Sequence, residues 1–333
     1  MTTKQIVLAS RPNGMPTLAN FRFGDYELPD LQAGKVHLKG LYYSVDPYMR
    51  GRMSNSKSYV PPFQLGRPIE GSVIARVIES KTDSFTKDDL VVGMLPWSRE
   101  FIAEGKGLQK LDSSSTHPSY YLGILGMTGL TAYFGLLDIG KPKSAETVVV
   151  SGAAGAVGMV VGQIAKIQGC HVIGIAGSDE KIKLLKEEIG FDEAINYKHT
   201  VDIKAAIAEL CPDGVDIYFD NVGGEISDAV IANINKGARI IICGQISSYN
   251  DNEAPVGPRP QSALVRKSAL MQGFLVSNYI SRFPEGVLQL SEWLRTGKLN
   301  YRETIIKGFE RLPDAFISLF AGENTGKMLV ETE

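Results

Sequence analysis

Hydrophobic residues change their spacing near position 120 of this 333-residue chain. Beyond Thr147, short apolar runs alternate with stretches that carry apolar residues at helical spacing, the pattern of a parallel sheet covered on both faces. Thr147–Ser151 reads as a buried strand, MVVGQIAKIQ as a helix with Val160, Ile164 and Ile167 on one side, and His171–Ala176 as a second buried strand. The alternation predicts a helix over Asp179–Glu188 ended by Gly190, a strand in EAINY and a helix over 201–210. It then predicts a strand in VDIYFD with a polar end at Asp220 and Asn221, a helix over Glu225–Ile234 and a strand in ARIII running into CGQISSYN. A Pro-rich loop spans Asn250–Pro260, LMQGFLV (270–276) reads as a sixth strand, and a long helix follows through Trp293.

Before position 122 the runs IVLA, KVHLKGLYYSV, GSVIARVIES and DLVVGML are separated by Pro, Gly, Asn and Asp clusters, which predicts short, mostly antiparallel strands. Asn55–Pro68, rich in Pro and Ser, reads as a loop able to cover a site, with Tyr59 in it. Tyr120–Gly140 reads as one helix despite Gly123, Gly126, Gly129 and Gly135, which imply close approach of backbone or ligand, or tight helix packing. Tyr301–Glu333 adds a short helix after Pro313 and a terminal strand KMLVE, and is expected to return to the first domain. The fold class is α/β: a doubly wound parallel Rossmann sheet over 125–299, and a β domain built from 1–124 with 300–333.

Gly152, Gly155 and Gly158 join the first buried strand to its helix. Such glycines permit a tight turn, let backbone approach a pyrophosphate and let helix and strand pack closely. The helix N-terminus then turns unpaired N–H groups toward the phosphates. The next strand ends in Ala176-Gly177-Ser178, where an NAD site usually carries an acid for the ribose 2′-hydroxyl. Small residues here and Lys181 one turn on leave room and counter-charge for a 2′-phosphate, so NADP is the expected cofactor. Ser178 or Asp179 also suits an N-cap, a role compatible with phosphate binding.

Composition narrows the class. A net charge of −2 and 22% charged residues give no basic excess for nucleic acid. No apolar run reaches the roughly 20 residues of a membrane span, and the first residues lack a signal-peptide core. Cys170, Cys211 and Cys243 are scattered, which suits a reducing cytoplasm. The first domain holds no cysteine, and its histidines are His37 and His117, so no catalytic zinc is expected. Without a Lewis acid, the easier hydride chemistry is addition to the β-carbon of an enone or enal, where charge reaches an oxygen that hydrogen bonds can hold.

SVDPYMRGRM, GMTGLTAYFGLLDIG, SGAAGAVGMVVGQIAK, GSDEK, NYK, FDNVGG, CGQISSYN and GENTGKM, in this order, resemble the zinc-free 2-alkenal and prostaglandin reductases of the medium-chain dehydrogenase/reductase superfamily. The likeness runs from about Pro12 to the C-terminus. It implies a GroES-like first domain, a homodimer, and NADPH-dependent reduction of a conjugated carbon–carbon double bond. It also implies that Gly155, Ala156, Val157 and Gly158 hold the pyrophosphate, and that Gly177, Ser178, Lys181 and Tyr197 surround the 2′-phosphate. Met127, Thr128, Asn221, Cys243, Gly244, Ile246, Tyr249, Phe274, Leu275, Val276 and Asn324 would line the ribose and nicotinamide. Tyr48 and Tyr59 would contact substrate, with the Tyr59 hydroxyl reaching the carbonyl oxygen. Tyr197 as a core tyrosine, Tyr59 as an exposed loop tyrosine and Cys243 as a buried small residue are the plainer readings of the same positions. Several eukaryotic members carry a second tyrosine before the sixth strand; SALVRKSALMQGF has none. The substrate is then a small enone, enal or quinone. A zinc-independent quinone reductase and a non-enzymatic NADPH sensor are the alternative functions.

Overall fold

A computed structural model describes residues 1–112 and 117–332. The chain divides into two units, Met1–Leu122 with Thr304–Asn324 and Met328–Glu333, and Gly123–Glu303 with Thr325–Lys327. Each folds around its own apolar core.

In the first unit β1 (Thr2–Leu8) and β2 (Phe21–Glu27) form an antiparallel ribbon. β3 (Lys35–Ser44) leads into the one-turn helix α1 (Met49–Arg52). β4 (Glu70–Ser80), β5 (Leu90–Pro96), β6 (Glu100–Glu104) and β7 (Gln109–Lys110) complete the antiparallel pairing. Val36 and Leu38 of β3 and Val73, Ala75 and Val77 of β4 alternate into the core, which is why these strands are readable as sequence. β2 buries only Phe21 and β6 only Phe101, so neither shows an apolar alternation.

The second unit opens on α2 (Met127–Phe134). It continues as β8 (Thr147–Ser151), α3 (Gly158–Ile167), β9 (His171–Ala176), α4 (Asp179–Leu184) and β10 (Glu193–Asn196). Then come α5 (Ile203–Leu210), β11 (Val215–Asp220), α6 (Gly224–Ile231), β12 (Ile234–Ile242), α7 (Gln261–Lys267), β13 (Leu270–Gly273) and α8 (Phe283–Arg295). The strands lie parallel in the order β10-β9-β8-β11-β12-β13, the doubly wound arrangement. The strand order reverses between β8 and β11, so the crevice beyond their carboxyl ends is the switch point where such sheets take ligands.

β14 (Glu303–Lys307), α9 (Leu312–Ala321) and β15 (Lys327–Glu331) end the chain, with β15 paired antiparallel to β3 and β14 beside it. Residues 300–303 and 325–327 cluster with the second unit, so the tail is shared rather than returned whole. No helix among the described residues is long and apolar enough to cross a membrane.

Four elements differ from their sequence pattern. The single helix expected over Tyr120–Gly140 is a short turn at Pro118–Leu122, a break, and α2, which widens into π-helix over Gly135–Gly140. Glycines cause the break. A Cβ on Gly123 would sit 1.7 Å from the Tyr301 hydroxyl, and one on Gly129 only 1.8 Å from the Ile124 carbonyl oxygen. The helix expected to reach Ile234 stops at Ile231, because β12 begins at Ile234, ahead of the ARIII run where the strand was expected. β13 stops at Gly273, and Val276–Arg282 coils as a 3₁₀ segment ahead of α8. β14 was hidden for the same reason as β2, since most of its residues are only half covered.

Replacing Gly129 with Ala should destabilise the protein by about 1–3 kcal/mol, because the methyl meets backbone rather than a movable side chain. Urea unfolding of the variant beside wild type measures this directly; an unchanged midpoint would mean that the turn relaxes freely.

Candidate active site

At the switch point the second unit is organised by one carboxylate. Asp220 ends β11 almost wholly buried, and its Oδ1 accepts hydrogen bonds from Ser151 Oγ (3.0 Å), Tyr218 OH (2.8 Å), Val222 N–H (3.0 Å) and Gly223 N–H (2.8 Å). Ser151, the last residue of β8, accepts in turn from Asn221 N–H at 3.0 Å, while the Asn221 amide donates to the Ser151 carbonyl at 2.8 Å. The Asp220 carbonyl accepts from the backbone of Cys243 and Gly244. Three neighbouring strand ends are therefore tied to one residue.

The glycine turn sits beside this network. Gly152 takes the left-handed conformation at φ 58°, and an added Cβ would lie 3.4 Å from Asn221. Gly158, by contrast, has no room for a side chain, since a Cβ would be 2.4 Å from the Gly152 carbonyl oxygen. Gly155 N–H donates to Gly152, and Met159 N–H to Gly155, so α3 effectively begins at the turn. The first-turn amides, around Ala156 and Val157, have no intrahelical acceptor and suit an anion. Gly326 N–H donates to the Ala154 carbonyl at 2.8 Å, which steadies the outer side of this turn.

At the end of β9, Gly177 lies against the Tyr197 ring, 2.9 Å from where its Cβ would be. Ser178 caps α4, accepting from Lys181 N–H at 3.3 Å. Burial, with the charge of Lys198 second, lowers the Lys181 pKa below the usual lysine range. Two cations thus neighbour a tyrosine face at a strand end that carries no acid, a donor set that fits a 2′-phosphate.

The remaining candidates follow the ends of β12 and β13. Ile246 opens a short 3₁₀ turn, Tyr249 closes it, and the Tyr249 hydroxyl lies 3.4 Å from Gln245 N. A Cβ on Gly244 would be 3.1 Å from that hydroxyl. Burial, then the Asp220 charge, pushes the Cys243 thiol up to about 12, so it is an unreactive neutral group at ordinary pH. Phe274 fills the space over Gly135 and meets Phe219 edge-on, with Leu275 and Val276 half-buried after it. Thr128 is buried at the start of α2, next to half-buried Met127, and its Oγ1 has no partner. An unpaired buried hydroxyl costs stability and marks a position where a bound group can supply the missing acceptor.

Tyr48, Tyr59 and Asn324 belong to the first unit. Ser44 Oγ donates to Asp46, and Asp46 and Pro47 carbonyls accept the first amides of α1, which sets Tyr48 at its start. Burial chiefly, then the Asp46 charge, holds the Tyr48 phenol well above the ordinary tyrosine range; the Arg52 charge opposes that shift and Tyr59 lies near enough to add to it. Tyr59 itself is exposed. Among the described residues no group of three or more His, Cys, Asp and Glu is placed to hold a metal ion.

Residues 4–111 match the family described as the N-terminal domain of oxidoreductase, and residues 156–293 the one described as zinc-binding dehydrogenase. The chain is 59% identical over 330 residues to a putative NADP-dependent oxidoreductase, YfmJ, of Bacillus subtilis, covering 98% of this chain and 97% of that protein. It is 43% identical to an NADP(+)-dependent 2-alkenal reductase of Nicotiana tabacum over 99% of this chain and 97% of the relative. The crystal structure of CurA from Vibrio vulnificus in complex with NADPH superposes with a TM-score of 0.95 at 45% identity, covering 99% of each chain. The chain belongs to the zinc-free alkenal and prostaglandin reductase family.

Within this family member, the structure brings Gly155, Gly158 and Asn221 together around Gly152, Tyr197 beside Gly177, Gly244 beside Tyr249, and Tyr48 near Tyr59. Sequence reading noted Asp220 only as a polar strand end, and passed over Ser151, Arg52 and Lys198. Nothing in a linear pattern reveals that one carboxylate oxygen collects four donors. Asp220→Ala strands two hydroxyls and two amides, each at about 1–3 kcal/mol before water re-enters. It should therefore unfold at much lower urea than Asp220→Asn, which keeps Oδ1. Equal midpoints for the two variants would remove the carboxylate from this role.

Proposed function

We propose that this protein reduces the conjugated carbon–carbon double bond of α,β-unsaturated aldehydes and ketones with NADPH. The observation that carries the reading is the Tyr48–Tyr59 pair, a buried phenol kept protonated with an exposed one near it, where no metal-donor group is found among the described residues. The cofactor assignment is supported by Lys181, by the missing acid after β9, and by the NADP dependence named for the relatives. When bound, NADPH supplies a hydride, which adds to the β-carbon of the enone or enal.

The protein's own contribution is to hold. First-turn amides of α3 and the Gly152–Gly158 turn hold the pyrophosphate, and Lys181 with Tyr197 holds the 2′-phosphate. Asn221, kept in place by Ser151, and the segments Cys243–Tyr249 and Phe274–Val276 line the ribose and nicotinamide. Negative charge developing on the substrate oxygen is held by the Tyr59 hydroxyl, with Tyr48 as a second donor that stays protonated because burial raises its pKa. Solvent then protonates the α-carbon.

Lys181→Ala should raise the KM for NADPH strongly and leave that for NADH nearly unchanged. Because the free lysine has a lowered pKa, NADPH affinity should weaken with rising pH before the ordinary lysine value of about 10.4 is reached. That alkaline limb should vanish in Lys181→Ala; equal losses with both cofactors would show that the lysine does not read the phosphate.

Tyr59→Phe should cost about 2–4 kcal/mol of transition-state stabilisation on a good enone, with NADPH affinity unchanged. Tyr59→Ala should weaken substrate binding as well. Steady-state rates across enals, enones and quinones decide this, and wild-type kcat/KM in both variants would make Tyr59 a bystander.

A further inference from the structure

β10 lies at the edge of the parallel sheet and ends at Asn196, in register with Ala176 of β9. Tyr197 N–H donates to the Ala176 carbonyl at 3.1 Å, and the chain then turns through Lys198 and His199. Asn196 itself is buried. Its carbonyl accepts from the His199 and Thr200 amides at 3.1 Å each and from Thr200 Oγ1 at 2.8 Å. Its side chain works in two directions. Oδ1 accepts from Lys198 N–H at 3.1 Å, inside the turn, while Nδ2 donates at 2.6 Å to Oδ1 of Asp179, the first residue of α4. His199 Nδ1 completes the group, 3.2 Å from Asn196 Nδ2 and 3.3 Å from Asp179 Oδ2. One buried amide thus joins the helix that carries Lys181 to the turn that carries Tyr197 and Lys198.

We infer that Asn196 is a positioning residue for the 2′-phosphate of NADP, its amide setting the spacing between Lys181 and the turn bearing Tyr197 and Lys198; this rests on reading Lys181 and Tyr197 as the phosphate contacts. The position needs a donor and an acceptor on one short side chain, because it must donate to Asp179 and accept from Lys198 N–H. An aspartate there would have acceptors alone and would face the Asp179 carboxylate. Holding is needed because the two cations repel. The Lys198 charge contributes, after burial, to the lowered Lys181 pKa. A helix start and a turn fixed in advance also lose less freedom when the nucleotide binds. The same bond accounts for an acid two residues from Lys181. By charge alone Asp179 would repel a phosphate, although its side chain is 70% exposed and that repulsion is screened. As the acceptor of the Asn196 amide it fastens the site instead.

The test is calorimetric binding of NADPH and of NADH, with hydrogen exchange over 193–202 measured in nucleotide-free protein. Asn196→Ala should raise the Kd for NADPH about 10-fold, corresponding to one hydrogen bond to a charged group, and leave that for NADH unchanged. Exchange over the turn should quicken in the same variant. Asn196→Asp keeps the shape and should lose NADPH affinity at least as strongly; it carries the comparison if Asn196→Ala does not fold. Asp179 supplies the sign. Asp179→Ala should weaken NADPH binding, whereas Asp179→Asn, which keeps an oxygen to accept the bond, should retain it. If charge alone mattered, both changes would tighten NADPH. Tighter binding by Asp179→Ala would therefore overturn the inference, as would equal losses for NADPH and NADH in Asn196→Ala, or unchanged exchange. Should Lys181→Ala leave the preference for NADPH over NADH intact, the phosphate reading fails instead. The exchange rates would then still decide whether Asn196 fastens the turn to α4.

Discussion

A buried carboxylate at the point where the strand order reverses sets most of what surrounds it. Asp220 is shielded from water, and an isolated charge in such a place would be expensive. It is tolerated because two hydroxyls and two backbone amides converge on one oxygen. Those donors come from β8, from β11 and from the loop after β11, so satisfying the charge also fixes how the two halves of the sheet meet. The position of Asn221, the start of the β12 loop and the neighbour of Gly152 all follow from that one arrangement.

Glycine plays the complementary part, since close approach needs absent side chains. Gly152 and Gly158 let the turn after β8 fold under the amides of α3, and Gly177 lets an aromatic ring lie on the end of β9. Gly135 gives Phe274 and Phe219 the room to meet, with a Cβ there only 2.6 Å from the Phe274 ring. Each close approach brings backbone amides or ring faces to a strand end, where a nucleotide can use them. The energetic consequence is a helix α2 that must break and widen, with Thr128 left holding an unpaired hydroxyl.

The first unit fastens the loop that carries Tyr59. It does so with cations whose stems are buried and whose heads are spent on carbonyls: Arg11, Arg52, and Arg50, which donates to the Gly14 carbonyl at 2.8 Å. Hydrogen bonds of this kind rigidify more than they stabilise, because both partners were solvated before folding.

Much of this was legible in the chain by itself. Runs such as TVVVS and HVIGIA suit strands buried on both faces, and β8 is buried throughout Val148–Val150. The glycine spacing, the missing acid after Ala176 and the cysteine-free first domain pointed to a nucleotide, to its phosphate and to chemistry without zinc. These are local properties, set by residue type and period. Tertiary structure alone decided the rest. β2, β6 and β14 gain their identity from pairing partners rather than from apolar alternation, and α2 breaks because residues distant in sequence occupy the space its glycines leave. Asp220, Arg52 and Lys198 look like any polar residue in a loop or strand end until the fold collects their partners. A hydrogen bond depends on distance and direction, and the chain states neither.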